Sequence, residues 1–135
     1  MRAVIDTNIF IRALIKPSGS VGPVLDRLAA GDFTAIYSEP LLEELLATLA
    51  LPRIRKKYRL SDVDIADLLA LLALRELVEP GRNVKVCRDP DDDMFIEAAL
   101  EGKAAWVVTG DEDLLSLKKF ESIRFVTPRR FLDSF

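Results

Sequence analysis

Two rhythms alternate along the chain. Short runs of β-branched, aromatic and small apolar residues stop at a polar position, and between them apolar residues recur at helical spacing. The short runs predict strands at residues 3–5, 33–37, 84–86, 105–108 and 123–126. They read as buried on both faces. Helix starts are marked by Ser38 before Glu39-Pro40, Ser61 before a leucine-rich segment, Asp89 before Pro90 and Thr127 before Pro128. Each is an N-cap type, and three carry proline in the first turn. Gly31 and Gly102 are natural helix stops. Because strands separated by helices must be joined by crossovers, the pattern predicts an α/β fold with a largely parallel sheet of about five strands, helices on both faces.

Two segments strain this simple reading. The helix expected from 61 to about 77 has Val63, Ile65, Leu68, Leu69, Leu71, Leu72, Leu74 and Leu77, more than one apolar stripe. Either it is buried deeply in its own domain or its second face is a homodimer interface. Before it, Arg53-Ile54-Arg55-Lys56-Lys57-Tyr58-Arg59 reads as an exposed connection between two helices.

Composition narrows the chemistry. The 135 residues are 50% hydrophobic and 30% charged, which suits one domain spanning 1–135. With no histidine, Ser-His-Asp and Cys-His triads, imidazole acid/base pairs and histidine-containing zinc sites are excluded. Cys87 stands alone, so there is neither an intrachain disulfide nor a thiolate cluster. The net charge of −3 argues neither for nor against nucleic acid. Arg2 and Asp6 break the apolar start too early for a leader, and the 68–74 run is far below the ~20 residues of a membrane span. A soluble cytoplasmic protein is expected.

What remains is carboxylate, and its placement is ordered. In open parallel α/β sheets ligands sit beyond the carboxyl ends of the strands. Asp6 follows the first strand, and Glu43 and Glu44 lie in the helix after the second. Asp89-Pro90-Asp91-Asp92-Asp93 opens a later helix, and Asp111 and Asp113 follow Val108-Thr109-Gly110. Any one of these can be an N-cap or a solvated helix end. Together they would meet on one rim, where mutual repulsion calls for a divalent cation; oxygen-only donors suit Mg²⁺ or Mn²⁺. At about 100° per residue Asp92 lies near the Phe95, Ile96 and Ala99 face, with Asp91 and Asp93 to either side. The wheel does not separate Glu43 from Glu44. Gly110 is read as a tight turn holding Thr109 and Asp111 near the site, Asn8 as a local partner orienting Asp6, and Asp113 as a cap for Leu114-Leu115.

With these motifs in order, the sequence resembles the PIN-domain family, of the kind found as VapC-like toxins of toxin–antitoxin pairs. The matching elements are Val4-Ile5-Asp6-Thr7-Asn8, the 38–45 segment ending Glu44-Leu45, Asp89-Pro90-Asp91-Asp92 with Ala98-Ala99, and Val108-Thr109-Gly110-Asp111-Glu112-Asp113-Leu114-Leu115. The resemblance implies a PIN-like three-layer sandwich, with Asp6, Glu44, Asp92 and Asp111 as the acidic centre and Asp113, Glu43 and Asp93 as accessory candidates. It selects Glu44 because the family's glutamate precedes a leucine. The implied activity is metal-dependent endonucleolytic cleavage of RNA. Asp6, Asp92 and Asp111 would hold the metal, 5′ phosphate and 3′ hydroxyl ends would result, and a small antitoxin and a homodimer are the implied partners. Asn8, Thr109, Arg53, Arg55, Lys56 and Lys57 are the expected substrate contacts, with Arg59, Arg12 and Lys16 as additions. The rivals are a DNA or structure-specific nuclease with the same acids, a phosphoacceptor receiver domain, which would want paired acids after the first strand, and a non-catalytic RNA- or partner-binding module.

Overall fold

The computed structural model describes residues 1–16, 18–72 and 75–135. The chain runs β1 (Arg2–Ile5), α1 (Thr7–Ile15), α2 (Gly22–Ala29), β2 (Thr34–Ser38), α3 (Glu39–Ala50), α4 (Pro52–Tyr58), α5 (Asp62–Leu72) and β3 (Glu76–Val78). After a 3₁₀ turn at Pro90–Asp92 come α6 (Asp93–Glu101), β4 (Trp106–Val108), α7 (Glu112–Leu115), β5 (Lys119–Phe120), β6 (Ile123–Val126) and α8 (Pro128–Asp133). The strands form one sheet in the order β3-β2-β1-β4-β6-β5, parallel throughout except for the β5–β6 pair. The α/β reading and its mostly parallel sheet hold.

Successive strand residues point to opposite faces, yet Ala3, Val4 and Ile5 are all fully buried, as are Val107 and Val108. Both faces of the central strands are therefore covered, which makes three layers. Each fully buried large apolar side chain contributes roughly 1.5–3 kcal/mol. Ser38 caps α3 with its Oγ accepting from the Leu41 N–H at 3.4 Å, and Thr127 caps α8 through the Arg130 N–H at 3.2 Å. Ser61 and Asp64 cap each other's backbone N–H groups at the start of α5. Gly102 ends α6 because of closeness, not backbone freedom: a β-carbon there would stand 2.3 Å from Ile36 Cγ2.

Three expectations are corrected. Residues 84–86 are not a strand. The Val84 N–H donates to Glu97 Oε2 at 2.9 Å, and the Val86 and Cys87 N–H groups donate to Asp93 Oδ1 at 3.1 and 2.8 Å, so side chains of α6 take the place of a ladder. The third strand lies instead at Glu76–Val78, within the expected long helix; α5 stops at Leu72, and Leu74 lies outside the described residues. Its Leu77 is exposed on the sheet edge, so burial gave it no strand-like pattern. Third, the basic stretch is not a connection but α4, opened by Pro52 and closed by Arg59 in the left-handed conformation (φ 52°). Among the described residues no helix is long and apolar enough to cross a membrane.

Candidate active site

The chain leaves β1 for β2 on one side and later enters β4 on the other, so the β1/β4 boundary is the switch point where a crevice opens at the strand ends. Parallel pairing sets Ile5 beside Val108, and the Asp6 N–H continues the ladder to Val108 O at 2.8 Å. Asp6 and Thr109 are thereby level with each other. Asp6 is 5% exposed and caps α1: its Oδ1 accepts from the Asn8 N–H at 3.1 Å, and its Oδ2 accepts from Thr109 Oγ1 at 2.8 Å. Thr109 Oγ1 accepts in turn from the Asp111 N–H at 3.0 Å, and Asp111 Oδ1 caps α7 by accepting from the Asp113 N–H at 2.8 Å. One buried hydroxyl thus joins two acids that are far apart in the chain.

The electrostatics extend this pair to four acids. Burial raises the Asp6 pKa against the hydrogen bonds from Thr109 and Asn8, and the charge of Asp111 adds to the rise. Asp92 is pushed up to about 6, first by burial and then by the charges of Asp111, Asp89, Asp6 and Glu44. Glu44 is raised by burial and by Asp6 and Asp91. Asp6, Glu44, Asp92 and Asp111 therefore share one field. Among the described residues, however, no three acidic or cysteine side chains are grouped closely enough to hold a metal ion. The donors fit a hard divalent ion by chemistry, being carboxylate oxygens, and those of Asp6, Glu44 and Asp92 have their proton affinity raised by burial and neighbouring charge.

The other expected site residues fall in different places. Asn8 orients Asp6 through its backbone N–H and leaves its side chain exposed. Thr109 is 0% exposed with its hydroxyl both donating and accepting, so it positions acids instead of meeting substrate. The wheel's choice of the inward acid is corrected: residues Pro90–Asp92 form a 3₁₀ turn, and Asp93, at 6% exposure, is the deepest of the run. Its carboxylate is spent on the 86–87 backbone. Capping of α7 falls to Asp111, not to Asp113, which is exposed, as is Glu43. Gly110 does not have a positive φ, so the turn makes no use of glycine's freedom. Of the basic residues, Arg55 is ion-paired with Asp62, while Arg53, Lys56, Lys57 and Arg59 are exposed.

Tyr37 also stands at the site, on a strand whose sequence marks it only as core. It is fully buried and its hydroxyl donates to Ile5 O at 2.9 Å. Burial and the charges of Asp6 and Glu44 push its pKa well above the usual range. Tyr37 is therefore a neutral strut under the carboxylates. Only its polar tip, next to Ser38 at the carboxyl end of β2, signals this.

A family model described as PIN domain matches residues 2–113. The chain belongs to the PIN-domain family. An uncharacterized protein of Methanocaldococcus jannaschii is 35% identical over 143 residues, covering 100% of this chain and 92% of that relative. The VapBC2 complex of Rickettsia felis, solved bound to a DNA fragment from their promoter, contains a chain of similar fold. The TM-score is 0.58 over 93% of this chain and 97% of that one, at 17% identity. PIN-domain proteins are nucleases, and hydrolysis of phosphodiesters is the class of activity that membership gives this chain.

Proposed function

We propose that this PIN-domain protein is a metal-dependent endoribonuclease that acts in the cytoplasm as the toxin of a toxin–antitoxin pair, working as a homodimer and restrained by a small antitoxin protein. The observation that carries the reading is the shared field of Asp6, Glu44, Asp92 and Asp111 at the switch point of a PIN-domain sheet. Similarity of fold to a chain of a VapBC2 complex supports the antitoxin partner.

Asp6, Asp92 and Asp111 would hold Mg²⁺ or Mn²⁺, which when bound lowers the pKa of water and neutralises charge developing on the phosphate. The protein's own part follows from the geometry. Thr109 fixes the Asp6 carboxylate and the Asp111 backbone in one unit. Glu44, exposed and with a raised pKa, orients the attacking water and accepts its proton. The bond from phosphorus to the 3′ oxygen breaks as the water oxygen bonds to phosphorus, and the departing oxygen takes a proton from solvent, giving 5′ phosphate and 3′ hydroxyl ends without use of the RNA's 2′ hydroxyl.

Incubation of wild type and Asp92→Asn with mixed RNAs and single-stranded DNA, in Mn²⁺ and in chelator, tests the reading. RNA fragments with 5′ phosphates that vanish in chelator and in the variant are expected. Cyclic-phosphate ends, or cleavage indifferent to chelator, would exclude the mechanism, and preference for DNA would exclude the substrate.

A further inference from the structure

We propose that the cavity where α4 meets the end of α1 is a nucleotide subsite, in which Arg12 and Lys16 take a backbone phosphate and Tyr58 stacks on a base of single-stranded RNA flanking the scissile bond. This rests on the nuclease reading above and names how the same site grips its substrate.

The cavity, about 380 Å³, is lined by Arg12, Ile15, Lys16, Ser20, Val21 and Tyr58. Arg12 and Lys16 are exposed, and the ion pairs among the described residues engage other cations. Asn8 and Arg12 lie four residues apart on the exposed side of α1 and Lys16 is the exposed C-cap that ends it, so the three run from beside the N-cap, Asp6, to the cavity. From Asn8 to Lys16 this run is about 12 Å long, roughly three stacked nucleotides at ~3.4 Å each. The cavity therefore serves a flanking nucleotide, not the cleaved phosphate. Arg12 also links the two places: a β-carbon on Gly110, next to Asp111, would stand 3.6 Å from Arg12 Nη1.

Tyr58 supplies the second half of the grip. It is 36% exposed at the end of α4, a helix with no buried residue, so its ring is not a core element. Lys57 Nζ stands 5.3 Å from its ring centroid, placing positive charge on the same wall. An aromatic face beside cations is the arrangement that holds single strands, since stacking needs an unpaired base and cations track the backbone. A chain of net charge −3 with an acidic centre needs such a local grip to retain a polyanion.

The test is fluorescence anisotropy with a short 5′-fluorescein-labelled RNA in EDTA, where no cleavage competes. Tyr58→Ala is expected to weaken binding about 5- to 100-fold, while Tyr58→Phe and Tyr58→Trp bind like wild type. Arg12→Ala with Lys16→Ala lowers the slope of log affinity on log salt by about 0.7 for each phosphate released. Walking an abasic nucleotide through the RNA should find one position at which Tyr58→Ala has no further effect. Wild-type affinity in Tyr58→Ala, equal loss in Tyr58→Phe, no such abasic position, or no binding by the wild type overturns the subsite. So does a glutamate-rich peptide that outcompetes the RNA. Tyr58-dependent binding without cleavage in Mn²⁺ would keep the subsite and sink the nuclease reading; cleavage with Tyr58-independent binding would do the reverse.

Discussion

Thr109 has one hydroxyl and two obligations, to Asp6 Oδ2 and to the Asp111 N–H. Thr109→Val keeps the shape and removes both bonds inside a buried site. It should destabilise the fold by about 1–3 kcal/mol and depress cleavage, with Thr109→Ser restoring both; urea denaturation and RNA assays decide. Asp92 obeys the opposite logic. Its folded pKa of about 6 lies above the unfolded value near 3.9, so the folded state binds the extra proton between them. In chelator, stability should therefore rise as pH falls from about 6 to about 4. Asp92→Asn should flatten that slope, leaving the part due to Asp6 and Glu44, whose pKa values are also raised, and, at neutral pH, raise the urea midpoint while abolishing cleavage. A variant with an unchanged midpoint and slope would mean that the carboxylate is not under the repulsion described. At this scale the sequence was partly legible. Asp6 and Asp111 announce themselves by following strands, but Glu44 could not be told from Glu43 by angle, since both flank the apolar stripe. The 3₁₀ turn at Pro90–Asp92 invalidated the wheel used on Asp92.

Elements were legible where burial and local pattern agree. The central strands β1, β2, β4 and β6 carry β-branched or aromatic runs, and the serine and threonine caps behave as their types require. The exposed edge strand β3 and the two-residue β5 have too little buried surface to leave a signature. Residues 84–87 misled because a segment tied down by side chains and a ladder strand look alike in sequence, and only α6 decides between them. Asp93→Ala should release that segment: about 2–3 kcal/mol is lost with its charge-assisted bonds, and hydrogen exchange at the Val86 and Cys87 amides accelerates. Burial opposes ionisation of Asp93, but the bonds from Cys87 and Val86 outweigh it and hold its pKa below the usual carboxylate value. The contribution is thus present above about pH 4 and fades as pH falls through the lower folded value. At the other end of α6, Gly102→Ala drives a methyl into Ile36 and should cost about 1–3 kcal/mol without altering the acids, a loss readable as a lowered Tm.

For the molecule as a whole, the four-acid field is a debt that a cation would cancel. Mn²⁺ at 100 times its Kd should stabilise the fold by about 2.7 kcal/mol, seen as a rise in the denaturation midpoint that Asp6→Asn abolishes. A midpoint indifferent to Mn²⁺ would leave the carboxylates without a shared ligand. The general architecture followed from strands alternating with helices. The common rim for Asp6 and Thr109 followed too, but the bond between them did not, because strand order is set by packing between segments a hundred residues apart.

The family match stops at residue 113, but the Thr109 N–H is bonded to Val126 O at 2.9 Å, and β4 has β6 as its neighbour on that side. Shortening the chain to its recognisable part would turn a central strand into a raw border and unseat the hydroxyl that joins the acids. The stretch that carries the signature and the stretch that makes it work differ in length, so any graft of this domain must carry its unremarkable tail along.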